Sequence, residues 1–173
     1  EAGAGPIADT DAVADAVAEN LPAGTVVGVT AFATDPDGLD TVSYSLDDDA
    51  GGRFAIDPVS GVVTTAAALD REAAANHGIV VRATSSDTSF STKAFTIAVN
   101  DVDEFDVTPI VDADAAANQL AENAAPGSVV GITAQAGDAD ATMNAVTYTL
   151  DVDAGGRFAI DPASGVVSLA GAL

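Results

Sequence analysis

The chain contains the same series of short motifs twice, about 103 residues apart. Ala18-Glu19-Asn20 returns as Ala121-Glu122-Asn123, and the nine residues 50–58 return unchanged as 154–162. A period of this length is that of a whole small domain, whereas short solenoid repeats span only 20–50 residues. The sequence therefore predicts two copies of one domain in tandem.

Each copy is rich in strand signals. Apolar and β-branched runs alternate with Gly, Pro and Asp, and predict strands at 26–32, 42–46, 62–65, 79–84 and 90–99. The segment Asp57-Pro58-Val59-Ser60-Gly61 predicts a tight hairpin between its flanking strands, since Pro presets φ and Gly accepts a positive one. We therefore predict an all-β fold of tandem Greek-key seven-stranded β-sandwiches.

The second copy is shorter than the first. Leu173 aligns with Leu69, so the second copy has no counterpart of residues 70–103. We predict a complete repeat over 1–104 and a partial repeat over 105–173 that lacks its last two strands. A sandwich without these strands exposes an apolar face and an unpaired edge. We therefore expect strands from another chain to complete the second repeat, or the repeat to be only partly ordered.

The composition is strongly acidic and excludes several kinds of partner. The 173 residues carry 27 acidic and 5 basic side chains, a net charge of -22, and no Cys. Such a charge repels nucleic acid and anionic membranes. No run approaches the roughly 18 apolar residues of a membrane span, so we expect no direct membrane insertion. The expected partners are cations, with a salt-adapted surface as the alternative explanation of the acidity.

Glutamate occurs at few positions, and these positions are regular. Glu19 and Glu122 lie in the two Ala-Glu-Asn motifs, Glu72 ends Leu69-Asp70-Arg71-Glu72, and Glu104 ends Asn100-Asp101-Val102-Asp103-Glu104. Together with Asp138-Ala139-Asp140, these motifs in this order resemble cadherin repeats over nearly the whole chain. The form of residues 99–105 resembles the cadherin-like repeats of large bacterial surface and secreted adhesins.

The resemblance implies calcium ions between successive repeats. Calcium prefers about 6 to 8 oxygen ligands, which clustered carboxylates supply. One family aspartate is replaced by Ser85, with Asp87 as its nearest substitute, and Asp35, Asp37 and Glu1 would belong to an upstream site that is weak or empty. The implied ligands at the junction are Glu19, Asp70 and Glu72 from the first repeat, Asp101, Asp103 and Glu104 from the linker, and Asp138, Asp140 and the carbonyl of Asn144 from the second repeat.

Three functions are compatible with these features. The first is a calcium-dependent cell-adhesion module of a bacterial adhesin, at the cell surface or secreted, binding its own kind by homophilic contact or strand exchange. The second is a passive spacer stiffened by calcium, and the third is a calcium-dependent lectin that binds surface exopolysaccharide. No enzyme is expected, because His77, the only histidine, is predicted to lie in a loop without an orienting partner.

Overall fold

A computed structural model describes residues 3–37 and 40–173 of the chain. All regular secondary structure in these residues is β-strand, which confirms the predicted all-β class. No helix of the described residues is long and apolar enough to cross a membrane. The chain divides into two compact units, Glu1–Val102 (unit 1) and Asp103–Leu173 (unit 2).

Unit 1 is a sandwich of two four-stranded sheets. One sheet has the order β1-β3-β6-β5 and the other the order β2-β8-β7-β4. The predicted hairpin is present, since β5 and β6 pair antiparallel across the turn that contains Asp57 and Gly61. The strands are β1 (Ala8–Asp9), β2 (Ala16–Ala18), β3 (Val26–Phe32), β4 (Val42–Asp48), β5 (Phe54–Ile56), β6 (Val62–Thr65), β7 (Asn76–Ser85) and β8 (Phe90–Asn100).

The first strand of unit 1 is divided between the two sheets, which explains why a seven-stranded sandwich has eight strand segments. β1 pairs antiparallel with β3, whereas β2 pairs in parallel with β8. Asp9 stabilises the crossing between them, because its Oδ1 accepts hydrogen bonds from the amides of Asp11 and Thr30 at 3.0 and 2.9 Å. The crossing leads the chain through β2 directly to Glu19.

Gly28 lets β3 pass close to this crossing. Its φ of 77° lies in the left-handed region, and the β3–β6 register shifts around it. A Cβ at this position would lie 2.2 Å from the carbonyl oxygen of Ala14. Position 28 therefore requires glycine for both its conformation and its contact. Gly131 repeats the arrangement in unit 2, with a φ of 85°.

The core of unit 1 lies between its two sheets. Val27 and Val63 come from one sheet and Val81, Ile97 and Val99 from the other, and all five are fully buried. Along β8 the buried side chains alternate with exposed ones from Phe95 onward, as expected of a strand with one buried face. Burial of these apolar side chains is the main stabilising contribution to the unit.

Unit 2 contains a single four-stranded sheet with the order β11-β12-β10-β9. It corresponds to the β1-β3-β6-β5 sheet of unit 1. Ile110, the counterpart of Ile7, is 67% exposed, whereas Ile7 is 6% exposed. Completion of unit 2 by another chain remains a prediction. Its strands are β9 (Val111–Asp112), β10 (Val129–Gln135), β11 (Phe158–Ile160) and β12 (Val166–Leu169).

Residues 146–152 of unit 2 match β4 of unit 1 in sequence but form no strand. β4 is a strand because it pairs with β7. The described residues of unit 2 include no strand equivalent to β7. Even so, Tyr148 makes the same main-chain hydrogen bond as Tyr44. Each tyrosine amide donates to a proline carbonyl, that of Pro58 or Pro162, at 3.0 Å. The segment is therefore positioned by its own sheet and lacks only a partner strand.

Candidate metal centre

Glu19 is a buried carboxylate held by two loops of unit 1. It directly follows β2 and is 1% exposed. Its Oε2 accepts a hydrogen bond from the amide of Arg71 at 2.5 Å, and its Oε1 accepts one from the amide of Val102 at 2.9 Å. Main-chain amides thus hold both oxygens of the Glu19 carboxylate and fix the orientation of the side chain.

The turn after Leu69 brings a second carboxylate to Glu19. Leu69 is 4% exposed and fixes the start of the turn. Asp70 caps it, since its Oδ1 accepts a hydrogen bond from the amide of Ala73 at 2.9 Å. Two residues into the turn, Glu72 is exposed. The sequence motif Leu69–Glu72 thus combines an apolar residue, a cap and a carboxylate that faces Glu19.

Glu19, Glu72 and Asp101 form one group of oxygen ligands, which we call the unit 1 carboxylate group. One carboxylate oxygen from each lies within 4.8 Å of the others. Three negative charges at this spacing repel one another, and a divalent cation relieves the repulsion. Asp70 is adjacent in sequence but outside this group, and its carboxylate serves the turn.

Unit 2 holds a buried carboxylate among the predicted ligands, that of Asp140, which is 1% exposed. Its Oδ1 accepts hydrogen bonds from the amides of Glu104 and Phe105 at 3.1 and 3.4 Å. Its own amide donates to Asp138 Oδ1 at 3.2 Å. We call Asp103, Glu104, Asp138 and Asp140 the unit 2 carboxylate group.

Two features of the unit 2 carboxylate group fit a cation. Asp140 Oδ2 is buried and accepts no hydrogen bond from the described residues, which is costly for a carboxylate oxygen. The Asp103 carboxyl contacts that of Asp140, and this contact, together with the negative charge of Asp140, raises the pKa of Asp103. Two ionised carboxylates cannot donate hydrogen bonds to each other. A hard cation between the carboxylates of Asp103 and Asp140 would therefore stabilise the pair better than their mutual contact does.

Asn144, the remaining predicted ligand, is exposed and directly follows a bend at 141–143. Calcium binding by the backbone carbonyl oxygen of Asn144 stays a prediction.

A third acidic group lies in unit 1 and includes a residue that the sequence analysis missed. Asp35, Asp40 and Asp87 place one carboxylate oxygen each within 4.8 Å of the others. Asp40 corresponds to Asn144 in the repeat alignment, and that correspondence was the available signal. Ser85 is buried beside this group, whereas Glu1 lies outside the described residues. Asp37 is described but is not one of the three.

His77 lies in a strand, so its prediction as a loop residue is wrong. It is the second residue of β7 and pairs in register with Ile97. Its ring meets that of Phe54 edge to face, with centroids 5.8 Å apart. Burial, and secondarily the charge of Arg53, lowers the pKa of His77. The contacts of this side chain are those of a packing residue at the sheet surface.

The fold and the acidic groups define the class of the molecule: an all-β sandwich module with clustered carboxylates, a ligand type that hard cations prefer. Comparison with known proteins is more specific. Residues 16–100 match the family model of the cadherin domain, so unit 1 contains a cadherin domain.

Relatives of the chain are large cadherins. It is 38% identical over 158 residues to the Cadherin EGF LAG seven-pass G-type receptor 1 of Mus musculus, an alignment of 87% of this chain and 5% of that protein. It is 30% identical over 166 residues to Protocadherin Fat 1 of Homo sapiens, covering 95% of this chain and 4% of that protein. The chain thus spans about a twentieth of the length of these relatives.

Solved structures have the same fold. Mouse Cadherin-23 EC22-24 superposes with a TM-score of 0.76 at 24% identity, covering 100% of this chain and 56% of that one. Extracellular cadherin domains 3-6 of Protocadherin Gamma B2 give a TM-score of 0.79 at 23% identity, over 97% of this chain and 44% of that one. The tandem cadherin-like sandwich is therefore confirmed. The bacterial source inferred from residues 99–105 remains a prediction.

Proposed function

We propose that this chain is a calcium-dependent cell-adhesion module that works outside the cell. The observation that carries the proposal is the unit 1 carboxylate group, in which oxygens of three carboxylates from separate elements lie within 4.8 Å of one another, two of them within the matched cadherin domain and the third directly after it. Oxygen ligands of this kind suit Ca²⁺. When bound, calcium supplies the positive charge that neutralises the carboxylates.

The proposed ligands are the members of both carboxylate groups, together with Asp70 and Asn144. The covalent chain supports shared binding, because only Val102 separates Asp101 of the first group from Asp103 of the second. Ligands from both units would restrict the motion of one unit relative to the other, and an array of such modules would become a stiff rod. The proposed set is Glu19, Asp70, Glu72, Asp101, Asp103, Glu104, Asp138, Asp140 and the carbonyl of Asn144.

Extracellular conditions suit this chemistry. Calcium sites of extracellular modules bind with Kd of roughly 10⁻⁴ to 10⁻³ M, and they are filled only where calcium is abundant. Because the ligands converge only in the folded chain, calcium also stabilises the fold by mass action. We place the module in a bacterial surface or secreted protein on the form of residues 99–105 alone.

Calorimetric calcium titration tests the proposal. We expect the wild type to bind calcium and the double variant Glu72→Ala with Asp103→Ala to lose most of the binding, because it removes one carboxylate from each group. The control is Glu122→Ala, which removes the exposed carboxylate of the second Ala-Glu-Asn motif. Equal isotherms for wild type and double variant would contradict the proposed site.

Adhesion and passive spacing are separated by a second assay. Beads coated with the chain are mixed in calcium and in a chelator. An adhesion module aggregates the beads only in calcium, whereas a spacer stiffens without aggregating them. Adding soluble exopolysaccharide tests the lectin alternative, which requires the polysaccharide to bind the beads in calcium.

A further inference from the structure

Arg71 is the one cation within the motif that supplies Glu72, yet its charge is directed toward main-chain carbonyls. Its Nη1 donates to the carbonyl oxygen of Val99 at 2.6 Å and to that of Ala75 at 3.2 Å. Arg82, by contrast, forms an ion pair with a carboxylate, that of Asp47. The guanidinium of Arg71 thus contacts main-chain carbonyls of two different elements.

The same residue joins the three elements that carry the unit 1 carboxylate group. Its amide donates to Glu19, which follows β2. Its guanidinium donates hydrogen bonds to Ala75, in the loop after Glu72, and to Val99, near the end of β8 and two residues before Asp101. The Val99 amide also donates directly to the Ala75 carbonyl at 2.9 Å, so the loop and the end of β8 are joined by main-chain and side-chain hydrogen bonds.

We propose that Arg71 is a positioning residue for calcium binding. It fixes the loop of Glu72 and the end of β8 at the spacing that brings Glu72 and Asp101 to Glu19, without contacting the ion. The inference rests on the proposed calcium site and adds to it the residue that preorganises the site. Groups that orient metal ligands typically change metal affinity by about 10–100-fold when they are removed.

Electrostatics and positioning predict opposite results for loss of this side chain. Removing a positive charge near a cation site strengthens cation binding if charge alone matters. Loss of the two carbonyl contacts weakens binding if the carboxylates need Arg71 for their placement. The sign of the change therefore separates the two explanations.

The test compares Arg71→Gln and Arg71→Lys with the wild type by calorimetric titration with calcium chloride. We expect Arg71→Gln to weaken calcium binding about tenfold or more. Arg71→Lys should lie between Arg71→Gln and the wild type, because an ammonium still donates to carbonyls but lacks the planar fork. The control is Arg53→Gln: Arg53 also donates to a carbonyl, that of Ala50 at 2.7 Å, in another loop. We expect it to change affinity less than about twofold.

Amide hydrogen exchange of the calcium-free chains provides a readout independent of calcium. Val102 donates its amide to Glu19, so loosening the end of β8 should speed its exchange in Arg71→Gln and leave it unchanged in Arg53→Gln. Unchanged or tighter calcium binding in Arg71→Gln would overturn the inference. If the wild type binds no calcium, the proposed function fails, and unchanged exchange at Val102 then overturns the positioning role as well.

Discussion

At the scale of single residues, the two Ala-Glu-Asn motifs show how surroundings decide the state of a side chain. Glu19 is 1% exposed and holds two amides, whereas Glu122 is exposed in the same local sequence. The difference comes from Arg71 and Val102, the donors to Glu19, which have no counterparts in unit 2. The sequence predicted Glu19 as a ligand, but only the fold reveals that its carboxylate also connects two loops.

This contrast gives a matched pair of variants. Glu19→Gln should lower the free energy of unfolding in calcium by about 1–3 kcal/mol, because the amide nitrogen of glutamine cannot accept a hydrogen bond. Glu122→Gln should change it by less than about 0.5 kcal/mol. Denaturant unfolding in calcium measures both values, and equal effects would contradict the structural role of Glu19.

Asp15 and Asn118 form a second pair of equivalent positions. The Asn118 amide donates to Asp112 Oδ2 at 3.2 Å, but Asp15 places a carboxyl against that of Asp9. Burial, then the charge of Asp9, raises the pKa of Asp15, while Lys93 opposes the shift. We expect Asp15→Asn to stabilise the chain at pH 7 by up to about 1 kcal/mol, the scale of surface charge pairs.

The pH dependence of this gain has a definite sign. Since the folded-state pKa is raised, the native state binds the proton before the unfolded state as the pH falls. The penalty is fully present above the raised pKa and disappears as the pH falls below the ordinary value. Unfolding of wild type and Asp15→Asn in chelator should therefore converge toward low pH. A gap that widens toward low pH would exclude this explanation, and Asn118→Asp should give the reciprocal loss at neutral pH.

At the scale of elements, the sequence predicted strands where apolar and β-branched residues form continuous runs. β3 was predicted over its full length, and β8 was missed only at its last residue. β7 was predicted from Ile79, although it begins at Asn76. Its first residues, Asn76 and His77, are polar and join the sheet through their register with β8, which local pattern does not encode.

Gly28 offers a test of the crossing between β1 and β2. Gly28→Ala should lower the free energy of unfolding by about 1–3 kcal/mol or more, because the new Cβ would clash with the Ala14 carbonyl and alanine is unfavourable at this φ. Gly24 is the control: its φ is 92°, but a Cβ there would meet nothing within 4 Å. Gly24→Ala should cost only the conformational part, about 1–2 kcal/mol. Thermal unfolding of both variants measures the difference, and a smaller loss in Gly28→Ala would refute the close approach.

At the scale of the whole molecule, the net charge of -22 has two explanations that calcium separates. A salt-adapted surface gains stability from any salt by screening, whereas specific sites respond to calcium itself. We expect calcium chloride to raise the free energy of unfolding by about 2.7 kcal/mol per site at 100 times Kd. Potassium chloride at equal ionic strength should give much less in thermal unfolding. Equal effects of the two salts would favour the salt-adapted surface.

The sequence predicted which residues form the candidate sites better than it predicted how those residues are arranged. Ligand residues could be named because the motifs repeat in order, and Asp40 was missed although it aligns with Asn144. The positions of Arg71 and of the Asp140 side chain depend on contacts between residues distant in the chain, with Val99 and Glu104. Such contacts are fixed by the packed fold and leave no local trace in the sequence.

The central claim is that carboxylates of this chain bind calcium, and diffraction from crystals grown in excess calcium chloride tests it most directly. We predict anomalous density for an ion in contact with the carboxylate oxygens of Glu19, Glu72 and Asp101. Density for water alone among these three side chains, at saturating calcium, would contradict the account.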